Sequence, residues 1–228
     1  MIPLRDENPS STIPLVTIFL ILANICLFIY LNYVVPGETN QFFLKLGFIP
    51  FELSHFKDIS PKNLVPVPLT IFTSMFIHGG WIHLLSNMLY LWIFGDNVED
   101  LLGHIKYLVF YVTCGIAAAG GHFLVNTSSK IPTVGASGAI AGVLGAYVFL
   151  FPKARIKTLF IIFIFIHIVN IPAILMLGFW IIMQVLSAYF EYGTQTGGQI
   201  AWFAHIGGFA SGLMLIIVMK KRKKRSYR

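Results

Sequence analysis

Apolar residues run almost unbroken through six stretches of the chain, 14–33, 83–94, 104–125, 135–151, 172–190 and 202–220, with polar clusters between them. About 20 apolar residues are what an α-helix needs to cross the hydrocarbon core of a bilayer, so the pattern predicts six membrane-spanning helices. The second stretch is short unless it runs on toward Leu102. A further run, 158–169, is nearly continuous apolar sequence, but about twelve residues are too few to cross, and Asn170-Ile171-Pro172 interrupts it. It predicts a re-entrant or extended interfacial piece leading into the fifth span. Residues 34–82 are too polar to cross and too apolar for an ordinary loop. Pro50, Pro61, Pro66 and Pro68 break them into short pieces, and Phe42, Phe43, Phe48, Phe51, Phe56 and Trp81 offer interfacial anchors. The expectation is a long interfacial first loop.

Composition narrows the class. With 57% hydrophobic and 11% charged residues the chain falls outside soluble globular proteins and among integral membrane proteins. The first stretch is too long for a signal-peptide core and has no small-residue cleavage site after it, so it is read as retained. The expected fold is an all-α membrane protein of one domain, 1–228. It divides into a polar leader at 1–11, a six-helix core at 12–219 and a basic tail at 220–228. Cys26 and Cys114 fall inside apolar spans, where a disulfide framework has no role.

Charge then sets direction. The net charge of +7 is concentrated in Lys220-Lys221-Arg222-Lys223-Lys224-Arg225, directly after an apolar span. Such a run reads as an anchor against anionic lipid, and nothing else in the chain supplies a nucleic-acid-binding fold. With both termini in the cytoplasm, twelve of the lysines and arginines lie inside and only Lys45, Lys57, Lys62 and Lys130 lie outside. Spans two, four and six then run from outside to inside.

That direction brings chemistry into view. Ser137, His205, His83 and Asn87 lie near the outer ends of three different spans, in one layer of the membrane, where polar side chains are costly and default to a functional hypothesis. Serine needs a base within hydrogen-bond reach to act as a nucleophile, and the imidazole of His205 titrates near neutrality. His83 and Asn87 are four residues apart on one helix face and can present two donors to one oxygen. A tetrahedral acyl intermediate requires such donors, together with the Ser137 amide at a helix start. None of the nine carboxylates lies inside a span near Ser137, so the expectation is a Ser-His dyad without an acid.

Gly138 and Gly142 on span four and Ala204, Gly208 and Gly212 on span six form small-residue faces that let two helices approach closely, which also suits ordinary helix packing. Seven histidines raise the question of a metal, but there is no His-Glu-x-x-His pair and no intramembrane cluster to complete a tetrahedral set. No metal and no cofactor are expected. His122 and His167 are read as structural.

Taken together, His78-Gly79-Gly80-Trp81-Ile82-His83-Leu84-Leu85-Ser86-Asn87, Gly135-Ala136-Ser137-Gly138 and Ala204-His205-Ile206-Gly207-Gly208 resemble the signatures of rhomboid intramembrane serine proteases. Phe94-Gly95 with Glu99 fits as well, and the resemblance covers nearly the whole chain. It implies Ser137 as nucleophile, His205 as general base, and Asn87, His83 and the Ser137 amide as oxyanion hole. It implies a serine endopeptidase that cuts transmembrane segments of other proteins near the outer leaflet, in a bacterial cell membrane, with the active site open to the external face. A catalytically silent relative that binds client transmembrane helices is the alternative. Two positions depart from the pattern. Leu69-Thr70 stands where many members carry Trp-Arg, and Ala141 stands where some have an aromatic one turn after the serine, so support of the histidine is expected to differ.

Overall fold

The elements follow these patterns in a computed structural model, which describes residues 1–35, 39–59, 62–162, 165–192 and 200–220. The basic run 221–228, Pro61 and the centre of the 158–169 stretch at 163–164 lie outside the described residues. Strand β1 (Ile2–Asp6) precedes helix α1 (Leu15–Ile29), which widens into a π-turn at Tyr30–Val34. The first connection holds three short helices, α2 (Thr39–Leu46), α3 (Pro50–His55) and α4 (Thr70–Thr73). Helices α5 (Trp81–Leu102), α6 (His104–Val125) and α7 (Ser137–Leu150) follow. A hairpin of β2 (Arg155–Ile162) and β3 (Phe165–Pro172) leads into α8 (Ala173–Tyr192) and α9 (Trp202–Met219).

Each of the six apolar stretches carries a helix, and four of them, Leu15–Val34, His104–Val125, Ala173–Tyr192 and Trp202–Met219, are long and apolar enough to cross a membrane. The other two differ for separate reasons. Helix α5 ends in Asp96, Glu99 and Asp100. Helix α7 has only 14 residues, about 21 Å at 1.5 Å per residue, against a hydrocarbon core of about 30 Å.

Ala139 through Tyr147 are buried without a break, so every face of α7 is covered. A helix that is apolar all round belongs in the middle of a bundle, and α5, α6 and α9 enclose it. Fully buried Tyr107, Tyr111, Tyr147, Phe94 and Phe110 fill the space between these helices. The approach of α7 to α9 is the tightest: a Cβ at Gly208 would fall on the carbonyl of Gly138, and one at Gly212 on that of Gly142. Without side chains there, the two backbones meet directly.

The all-α expectation is corrected at one end of the molecule. Residues 2–6, read as part of a polar leader, pair with β2, and β2 pairs with β3, giving a three-stranded antiparallel sheet in the order β1-β2-β3. The register joins Asp6 to Ile156 and Arg155 to Pro172. The 158–169 stretch is rich in β-branched and aromatic residues, which favour extended backbone. Too short to satisfy its amides as a spanning helix, it satisfies them across a hairpin. Ile156 and Thr158 turn inward, the latter toward Met176 of α8, while Phe165, Ile166 and Ile168 of β3 stay exposed.

Polar side chains tie this sheet to the helices. One carboxylate oxygen of Asp6 accepts the Tyr147 hydroxyl at 2.6 Å and the Asn97 amide at 3.1 Å. Pro14 at the start of α1 offers no side-chain cap, and fully buried Glu99 takes that place by accepting the Val16 and Thr17 amides, both at 2.8 Å. Glu99 also accepts the Thr17 hydroxyl at 2.7 Å and lies 2.6 Å from His104 Nδ1. At the opposite end, Phe48 and Thr133 form a two-way backbone bridge that fastens the first connection to the loop preceding α7.

Candidate active site

Ser137 is the first residue of α7, and the loop before it is held from two sides. The Gly135 amide donates to the Ser74 carbonyl at 2.8 Å, and Gly135 itself has φ +121°, a backbone conformation that only glycine adopts without strain. A side chain there would also strike the His83 ring, since a Cβ would lie 2.7 Å from it. The sequence Gly135-Ala136-Ser137 therefore turns the chain sharply into the helix and leaves the first amides of α7 without intrahelical partners.

His205 sits in the first turn of α9, and the close approach of α7 to α9 carries its ring to the serine. The His205 Nε2 lies 2.8 Å from Ser137 Oγ, across 68 residues of sequence. His83 and Asn87 stand on α5 beside the same turn. The Asn87 amide is buried and its Nδ2 has no hydrogen-bond partner. The four residues singled out in the sequence are thus brought into one site.

Two features were missed. Gln184 of α8 places its side-chain oxygen 2.7 Å from His205 Nδ1, on the side of the imidazole away from Ser137. A glutamine in an otherwise apolar span is a legible sequence signal. The ring support absent at Ala141 comes from elsewhere: Trp180 of α8 lies over His205 at 5.8 Å between centroids, and Trp202 meets it edge-on at 6.3 Å.

The site opens into a cleft of about 1730 Å³, lined by Trp81, Tyr90, His122 and Trp202 as well as by the serine and histidine. His122, read as structural from sequence, lines this cleft. His78, in the turn before α5, is fully enclosed, and its ring packs edge-on to His83 at 5.0 Å. Burial first, and then His83 beside it, push the His78 pKa down to about 3, so this imidazole is neutral at physiological pH. Among the described residues no group of three or more His, Cys, Asp or Glu side chains is disposed to hold a metal ion.

A hydroxyl facing an imidazole, with an unpartnered amide donor and a helix N-terminus beside it, is an arrangement able to hold and stabilise a developing oxyanion. Comparison with known proteins adds an independent line. The Rhomboid domain matches residues 67–222. Rhomboid protein 1, mitochondrial, of Saccharomyces cerevisiae is 30% identical over 158 residues, which cover 67% of this chain and 42% of that protein. The putative rhomboid protease YdcA of Bacillus subtilis is 28% identical over 159 residues, 69% of this chain and 70% of YdcA. Rhomboid protease GluP of the same organism is 38% identical over 79 residues, 35% of this chain and 15% of GluP. The chain therefore spans less than half the length of the yeast relative and a larger share of YdcA.

Proposed function

The chain belongs to the rhomboid family of membrane proteins, and from that premise we propose that it is an intramembrane serine endopeptidase working through Ser137 and His205. The observation that carries the proposal is the 2.8 Å contact between His205 Nε2 and Ser137 Oγ. Relatives named as proteases support the reaction class.

In this reading His205 Nε2 takes the Ser137 proton as Oγ attacks the carbonyl carbon of a substrate peptide bond. The carbonyl oxygen becomes an oxyanion, held by the Ser137 amide, Asn87 Nδ2 and His83. The imidazolium then gives its proton to the leaving amine, the C–N bond breaks, and an acyl-serine remains. Water entering from the cleft gives a proton to His205 and attacks the ester, and collapse returns Ser137 with its proton. The substrates are transmembrane segments of other proteins.

The same reading takes residues 1–228 as one membrane domain built on six intramembrane helices, α1 and α5 to α9. Helix α7 spans only part of the thickness, which leaves the serine below the surface at the bottom of an externally open cleft. The termini lie in the cytoplasm, the first connection rests in the outer interface, and the protein resides in a bacterial cell membrane. Fluorophosphonate labelling of purified protein in detergent tests the assignment. Wild type should take the label and Ser137→Ala and His205→Ala should not; equal labelling of Ser137→Ala would end the nucleophile assignment. Mapped cleavage of a model transmembrane substrate separates a protease from a client-binding relative.

A further inference from the structure

We propose that Gln184 is a positioning residue that sets the tautomer and plane of His205, doing with a neutral amide what an acid does in a Ser-His-acid triad. The inference rests on reading His205 as the base for Ser137.

The donors and acceptors allow one direction only. Gln184 Nε2 donates to the Trp180 carbonyl at 3.3 Å, one turn back along α8. That bond fixes which way the amide faces, because a carbonyl can only accept. The oxygen Oε1 is then the atom at 2.7 Å from His205 Nδ1, and it too can only accept, so Nδ1 carries the hydrogen. A neutral imidazole protonated at Nδ1 has its lone pair on Nε2, and Nε2 is the nitrogen 2.8 Å from Ser137 Oγ. The serine hydroxyl must donate. Hydrogen bonds therefore run from Ser137 through His205 and Gln184 to the Trp180 carbonyl, all pointing the same way.

Among the described residues nothing else around the ring makes this selection. Trp180 and Trp202 limit its rotation, but the Trp202 indole N–H is directed to Glu191 at 2.5 Å. The titratable groups facing the imidazole are His83 of α5 and His122 of α6, while Glu191 of α8 acts on His122. Gln184 is 7% exposed, so water does not compete for its oxygen. A carboxylate at this depth would carry a large desolvation cost. The amide supplies orientation and tautomer choice without that cost, and forgoes the charge that would stabilise the imidazolium.

The test follows cleavage of a transmembrane substrate and fluorophosphonate labelling across pH, with 15N NMR of the histidine ring. Gln184→Leu removes the acceptor and keeps the bulk. It should lower kcat by about tenfold to a hundredfold, with KM little changed, since a misoriented base costs the transition state rather than binding. Gln184→Glu should recover most of kcat and move the acid limb of the pH profile upward, because a carboxylate favours the imidazolium and the base must be neutral. A merely structural role would lower the folded fraction of Gln184→Leu and leave the His205 tautomer of the folded protein unchanged. In wild type the ring should show hydrogen on Nδ1 and a bare Nε2. Hydrogen on Nε2 in wild type would overturn the proposal without any variant, as would kcat within about twofold of wild type in Gln184→Leu. Labelling of His205→Ala at the wild-type rate would instead remove the premise that His205 is the base.

Discussion

Helix α5 has a polar cluster at each end, and the two are built on opposite principles. At its C-terminal end Glu99 accepts three hydrogen bonds from α1 and meets His104, Asp100 accepts from Ser11 and Thr12, and Asn97 bonds Asp6 and Asn8. At its N-terminal end Asn87 Nδ2 is buried without a partner. A buried polar group without a partner costs about 1–3 kcal/mol. The C-terminal cluster fastens strand β1 and helix α1 to the bundle; the Asn87 donor at the other end stays unengaged, as the proposed reaction requires. Stability and proposed catalysis are thus separated along one helix, about 18 Å apart from Asn87 to Glu99 at 1.5 Å per residue.

This contrast can be broken in order of expected effect. Ser137→Ala or His205→Ala should reduce cleavage by roughly 10⁴-fold to 10⁶-fold while leaving the thermal midpoint in detergent within a few degrees of wild type. Gly208→Val should lose both activity and stability, because a side chain there strikes the Gly138 carbonyl and drives α9, with His205, away from α7; a variant of wild-type stability would show the approach to be loose. Asn87→Ala should lower kcat by about 10²-fold to 10³-fold, the scale of one oxyanion donor, and leave the melting temperature unchanged or raised, since Nδ2 has no bond to lose.

Glu99→Ala is the mirror experiment. It strips the half-buried Val16 amide and the buried Thr17 amide of their acceptor, at about 1–3 kcal/mol for the latter. The melting temperature should fall clearly, and kcat of the protein that remains folded should stay within about threefold of wild type. A large loss of kcat at unchanged stability would mean the two ends are coupled.

The smallest effect is at Asp6. Burial, with Asp96 nearby adding to it, pushes its carboxyl up to about 6, against the lowering effect of the Tyr147 hydrogen bond. An acid whose pKa is raised on folding favours the folded state when protonated, so docking of β1 is best below about pH 4 and weakens as pH rises through about 6. Asp6→Asn keeps an acceptor for Tyr147 and loses the charge. Hydrogen exchange of the β1 amides should then become independent of pH over that window once intrinsic exchange is divided out.

Much of this was legible beforehand for a physical reason. Apolar length and period are local properties, and five of the six stretches carry a helix within a few residues of their expected limits, while the second runs on from 94 to Leu102. Ser137, His205, His83 and Asn87 could be grouped because depth in a membrane follows from counting along each span. The sheet was not legible in the same way. The 158–169 run is apolar on both sides of the backbone, so neither a period of two nor of 3.6 stands out, and its pairing with residues 2–6 joins segments about 150 residues apart. Gln184 was visible as a residue and invisible as a partner.

Sequence alone determined the class of the protein, the places where helices form, the small-residue faces that let two of them meet, and the side chains able to do chemistry. These depend on composition and spacing along one dimension. Only the tertiary structure decided that Glu99 caps α1, that Trp180 and Trp202 replace the aromatic missing at Ala141, and that an amide on α8 meets the far side of His205. Those outcomes depend on how far each helix is rotated about its own axis. That rotation is set by packing against neighbours and leaves no trace in the order of residues within any single helix.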